Sequence, residues 1–158
     1  MRWLLGLAVL AVFGCSGASW EARQWTRPGR PPSHLVIRIY GDVDSDGPED
    51  PMSAFRQALV ETLSKHGISA FVTVSPVRPP PPPRVDLRVV DGDSGNEALA
   101  WALGGSSQGW MIVECTTHMP AGTAFSFQGR VEGQGGDIAQ AAAEVGRAIA
   151  EELASGGR

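Results

Sequence analysis

Three aspartates at alternate positions, Asp42, Asp44 and Asp46, are followed by Gly47 in the pattern D-x-D-x-D-G. This is how an EF-hand-type calcium loop opens: alternating carboxylates converge on one ion and the glycine permits a sharp turn. Twelve places along, counted inclusively from Asp42, stands Ser53 where such a loop needs a bidentate glutamate. Asp50, at the ninth place, is also wanted as a helix cap. An acidic solvated turn is therefore the first expectation, with weak calcium binding at Asp42, Asp44 and Asp46 as the alternative. No other cofactor is expected.

Two further spacings invite chemistry. Gly105-Ser106-Ser107-Gln108-Gly109 matches G-x-S-x-G, the nucleophile elbow of hydrolases, which needs a strand before the serine and a helix after it. A strand pattern follows instead, so the segment reads as a Gly/Ser turn. Cys115 and His118 have C-x-x-H spacing, but residues three apart on a strand face opposite ways and no second ligand pair exists. His34, His66 and His118 are scattered, no catalytic residue is assigned, and Cys115 is expected to be a small buried apolar side chain.

The elements around these residues come from periodicity. Leu35, Ile37 and Ile39 alternate with Val36, Arg38 and Tyr40, which predicts a strand from His34. Asp50-Pro51 starts a helix, Met52, Phe55, Leu59 and Leu63 line one face of it, and Gly67 stops it. Ile68 to Val74 predicts a second strand, and strand, helix, strand favours a parallel crossover. Pro79 to Pro83 predicts a stiff connector. Val85 to Val90, an edge strand over 97–103, Trp110 to Thr117 and Ala124 to Glu132 complete the sheet, the last two joined by a hairpin turn at Met119 to Gly122. Asp137 caps a closing helix, with Gln140 completing a capping box and Ile138, Ala141, Val145, Ile149 and Leu153 on one face. The fold class predicted is α+β: one mixed sheet in the order β-α-β-β-β-β-β-α, with two helices packed on one face.

Charge divides unevenly. Residues 16–33 carry Arg23, Arg27 and Arg30 against Glu21, whereas residues 34–158 carry nine basic and sixteen acidic side chains, a net charge of −7. An acidic domain repels polyphosphate, so nucleic acid is not an expected partner. Residues 15–33 mix Ser, Gly, Pro and Arg without a period of 2 or 3.6 and predict a flexible tether. Its arginines read as solvated linker charge or as contacts to anionic headgroups. Trp20 and Trp25 are expected either at headgroup level or docked on the domain.

The start of the chain gives an address. Arg2 precedes an apolar run from Trp3 to Phe13, eleven residues long, whereas a membrane span takes about 20. The run predicts a secretory signal peptide over 1–14, leaving 144 residues, enough for a single domain over 34–158. Val12-Phe13-Gly14-Cys15 resembles the lipobox of bacterial lipoproteins. That resemblance implies cleavage before Cys15 and its acylation, palmitate being a typical chain. Ser16, in place of an aspartate, implies the outer membrane facing the periplasm rather than retention at the inner one.

Gly95-Asn96-Glu97-Ala98-Leu99-Ala100-Trp101-Ala102-Leu103-Gly104-Gly105-Ser106 resembles the glycine-rich segment of a bacterial lipoprotein family that carries a domain of unknown function. The element order is also similar to the amino-terminal domain of the Tol translocation protein and to lipoproteins that activate peptidoglycan synthases. These resemblances imply partner binding in the envelope and carry over no catalytic residues. The function expected is a lipid-anchored, non-catalytic module that binds an envelope protein or a cell-wall component. The alternative is a calcium-dependent module or small hydrolase using the acidic loop or the Gly/Ser turn.

Overall fold

The computed structural model describes residues 16–43, 48–74, 78–93, 95 and 108–158. Along the chain run β1 (Gly17–Arg27), β2 (His34–Tyr40), α1 (Pro51–Lys65), β3 (Ser69–Thr73), β4 (Arg84–Asp93), β5 (Gly109–His118), β6 (Ser126–Gly135) and α2 (Ile138–Ser155). The strands form one sheet in the order β1-β6-β5-β4-β2-β3. β2 is parallel to both β3 and β4, and the other pairs are antiparallel, so the sheet is mixed as predicted.

Helix ends follow their sequence signals. The Asp50 carboxylate accepts the Met52 N–H at 3.0 Å, with Pro51 in the first turn where a missing N–H costs nothing. At the other end Ile68 N–H donates to Leu63 O at 3.0 Å around Gly67, whose φ of 74° suits glycine. Asp137 accepts the Gln140 N–H at 2.7 Å, while Gln140 Oε1 accepts from Gly136 N–H at 2.8 Å. That reciprocal contact is the expected box, moved one residue toward the amino terminus.

Both helices lie on one face of the sheet. Leu35, Ile37 and Ile39 from β2, Val85, Leu87 and Val89 from β4, and Met111, Val113 and Cys115 from β5 are buried there with Phe55, Leu59, Leu63, Val145, Ile149 and Leu153. The helices touch closely at Gly146, where a Cβ would stand 2.6 Å from Phe55 O. Among the described residues, no helix lies over the opposite face of the sheet.

The segment expected as a flexible tether is where the structure differs. Gly17–Arg27 is β1, hydrogen-bonded antiparallel to β6 at one edge of the sheet. Trp20 meets Phe127 edge-on with ring centroids 5.3 Å apart, and Trp25 meets Phe125 at 5.1 Å and Phe127 at 4.9 Å. Both indoles are thus docked on the domain, and the Trp25 Nε1–H donates to Glu152 of α2. Bulges after Trp20 and after Trp25 hide this strand from a search for strict alternation. The segment expected as an edge strand over 97–103 lies outside the described residues, as does most of Gly95 to Ser106.

Candidate functional site

The uncovered face is organised around Asp86. Alternation on β4 turns Val85 and Leu87 inward and Arg84, Asp86 and Arg88 outward. Asp86 is the register partner of Arg38 on β2, and Arg84 of His118 on β5, so two arginines and a histidine surround one carboxylate. Arg38 Nε and Nη2 each donate to Asp86 at 3.0 Å, Arg84 Nε donates at 3.2 Å, and His118 Nε2 lies 3.1 Å from Oδ2. The Asp86 side chain is 7% exposed and those of Arg38 and Arg84 16% each. A paired fork of this kind fixes geometry as well as charge. Arg38 is held from its other side by Tyr40, the ring centroid 4.7 Å from Cζ.

A second network runs toward β1. Glu114 pairs with Arg88 at 3.7 Å and Arg130 at 3.2 Å, and Arg130 reaches Glu21 at 2.6 Å. These groups are about 36–59% exposed, so each pair adds little to stability. Nearer the start of β1, Gln108, Trp110, Ile112, Glu132 and Gln134 line a shallow hollow of about 340 Å³. At the opposite end of the sheet a larger open cleft of about 490 Å³ runs between Arg27, Arg84, His118 and the β5–β6 loop.

Strand directions sort charge by end. Where β1 begins, the sheet and its loops present Asp42, Asp91, Asp93, Glu132 and Asp137. Where β1 finishes lie Arg27, Arg30, Lys65, Arg84 and Arg158 with His34, His66 and His118, against Glu151 and Glu152 near the end of α2. The tether arginines are therefore spread along β1 and beyond it. Arg23 pairs with Glu152 at 3.1 Å, and Arg27 lies ten strand positions from Gly17, about 30 Å away.

The residues singled out by sequence fare differently. Cys15, Asp44, Asp46 and Ser106 lie outside the described residues. The Asp42 carboxylate accepts the Val43 N–H at 2.8 Å, and Asp50 is engaged by Met52 and, at 3.6 Å, by Arg56. Among the described residues no group of three or more His, Cys, Asp or Glu is arranged to hold a metal ion. Cys115 is fully buried, and loss of solvation, with Glu152 and Asp86 adding like charge, pushes its thiol far above the ordinary range. It faces the core, whereas His118 faces the uncovered side, as their spacing requires.

The Asp86 cluster was not singled out from sequence. Arg38 and Asp86 read there as ordinary outward positions of alternating strands, and Arg84 falls just before the strand predicted from Val85. The available signal is R-x-D-x-R across Arg84, Asp86 and Arg88: one carboxylate between two basic neighbours on a single strand face.

No protein-family model matches the chain, and no curated protein matches it in sequence. In fold it is similar to two dodecameric PelC structures from Paraburkholderia phytofirmans. One, a point variant, has 12% identity and a TM-score of 0.49 over 88% of this chain and 95% of that one. The other has 11% identity and a TM-score of 0.47 over 85% and 96%.

Proposed function

We propose that the chain is a lipid-anchored protein of the bacterial cell envelope. Diacylated Cys15 holds it at the outer membrane facing the periplasm, and the uncovered face of its sheet binds an envelope protein or a cell-wall component without chemistry of its own. The observation that carries the binding part is the near-buried Asp86 cluster on a sheet face that no helix covers among the described residues. Desolvating two arginines and a carboxylate is costly, so such a cluster is weak support for stability alone. Side chains locked by paired hydrogen bonds do, however, make a preorganised surface for a partner.

The lipobox-like sequence supports the anchor. With β1 starting at Gly17, a single residue separates Cys15 from the sheet, so an anchored domain would stand on the end where the acidic groups gather. Repulsion from anionic headgroups would hold that end off the bilayer and turn the basic end outward.

Two measurements test the reading. Cys15→Ala should move the protein from the membrane to the soluble fraction with loss of acyl mass; unchanged fractionation would remove the anchor. Pull-down from solubilised envelopes should recover a partner that Arg88→Ser with Arg130→Ser no longer holds. Equal recovery by that variant would place binding elsewhere than on this face.

A further inference from the structure

Four strand ends stand in a row at the basic end, where β1 and β5 finish and β4 and β6 begin. Arg27 of β1 is the register partner of Ser126 on β6, and Arg84 of β4 is that of His118 on β5. The Thr117 hydroxyl ties the two halves together. It accepts the Phe127 N–H at 2.8 Å and lies 3.2 Å from Phe127 O, which brings His118 alongside Ser126. At about 4.8 Å per strand, the backbones of Arg27 and Arg84 are roughly 14 Å apart. Arg84 is fixed, its Nε on Asp86 and its Nη1 donating to Pro80 O at 2.9 Å, which leaves Nη2 toward the cleft, and the exposed Arg27 side chain spans the rest of the gap.

The row borders the 490 Å³ cleft, whose wall also carries Thr26 and Thr123. Its charge is not balanced from within. Asp86 is shared by Arg38, Arg84 and His118, and Arg27 has no ion-pair partner among the described residues. Three arginines therefore stand near one carboxylate, in a domain whose net charge is otherwise negative. Guanidinium groups in excess of their carboxylates take up an oxyanion, and they prefer a planar one that accepts two parallel hydrogen bonds. That points to a carboxylate.

The remaining wall chooses the rest of the ligand. Thr26, Thr123 and Ser126 offer hydroxyls, while Met119 and Pro120 offer apolar surface suited to the C–H faces of a sugar ring. A protein partner needs about 800 Å² on each side, far more than this cleft presents, whereas small-molecule sites run from roughly 300 to 1,000 Å³. We propose that the row from Arg27 to Arg84 is a subsite for an acidic saccharide. Arg27 holds its carboxylate through its guanidinium fork and Arg84 through the remaining Nη2, and Thr123 and Ser126 meet its hydroxyls. The proposal rests on the reading of the uncovered face as the binding surface, and not on the anchor at Cys15.

Calorimetric titration of the detergent-solubilised full chain with tetragalacturonate, maltotetraose and tetraglutamate tests it. Tetragalacturonate should bind and the other two should not. Arg27→Gln should weaken binding about tenfold, the scale of one charge-assisted hydrogen bond. Arg27 makes no internal ion pair, so its variant should melt with the wild type, and the same titration of His118→Gln gives a second position in the row. Absence of tetragalacturonate binding, or undiminished binding by both variants, would overturn the subsite. Equal binding of maltotetraose would overturn the role of the carboxylate, and equal binding of tetraglutamate would overturn the saccharide. If the wild type binds no tetragalacturonate yet still captures an envelope partner that the Arg88 and Arg130 variant releases, the subsite fails while the binding module stands.

Discussion

Arg38 and Asp86 face each other across β2 and β4 and are joined by two parallel hydrogen bonds, each 3.0 Å long. Because Arg84 and His118 share the same carboxylate, removing it leaves two arginines, each with little solvent access, without a counter-charge, Arg84 keeping only its bond to Pro80 O. Asp86→Ala should therefore cost about 3–5 kcal/mol of folding stability, as removal of one partner from a buried ion pair does. Asp86→Asn should cost less, since its amide oxygen can still accept a hydrogen bond. Urea unfolding measures both, and a loss for Asp86→Ala below about 1 kcal/mol would mean that solvent already screens the cluster.

Trp25 should behave as part of the core's rim. Its ring packs on Phe125 and Phe127 and its indole N–H donates to Glu152, so it joins β1 to both β6 and α2. Trp25→Ala is expected to cost roughly 2–3 kcal/mol, below the 3–5 kcal/mol of a fully buried aromatic because the side chain is only half-buried. Deleting residues 16–27 should cost more, by baring Phe127 along the β6 edge. If that deletion melts with the wild type, β1 adds nothing to the fold.

β1 also marks the limit of what the sequence could disclose. Leu35 to Ile39 and Val85 to Val89 alternate strictly, and Asp50-Pro51 and Asp137 are strong local helix starts, so β2, β4, α1 and α2 were legible. Trp20 and Trp25 are an odd number of residues apart, which under strict alternation puts them on opposite faces. The bulge after Trp20 brings them to the same one. Their partners, Phe125 and Phe127, lie about a hundred residues away, and no local pattern carries that information. The Asp86 site was hidden for a similar reason. Arg38, Asp86 and His118 come from three strands, and only the sheet order makes them neighbours.

Cys115 should be inert while the protein is folded. Nucleophilic attack needs the thiolate, and burial favours the neutral thiol far beyond neutral pH. In a Cys15→Ala background, a thiol reagent at pH 8 should react with Cys115 only at the rate of opening or unfolding, and at once in denaturant. Rapid stoichiometric reaction of the folded chain would contradict its burial beneath α2.

Gly146 sets two effects of opposite sign against each other. Replacing a helical glycine by alanine ordinarily stabilises a helix by about 0.5–1 kcal/mol, because less backbone entropy is lost on folding. Here the new Cβ would meet Phe55 O at 2.6 Å and Leu59 N at 3.1 Å. Both are backbone atoms of α1, which cannot rotate aside as a side chain would, so the helices must separate and loosen the contacts of Phe55 and Leu59. Overpacking of this kind costs about 1–3 kcal/mol, which exceeds the propensity gain over most of that range. Gly146→Ala should thus lower the midpoint of thermal unfolding, whereas the exposed Ser53→Ala on α1, with no such contact, should leave it nearly unchanged. A raised midpoint for Gly146→Ala would mean that α1 and α2 do not approach each other at this point.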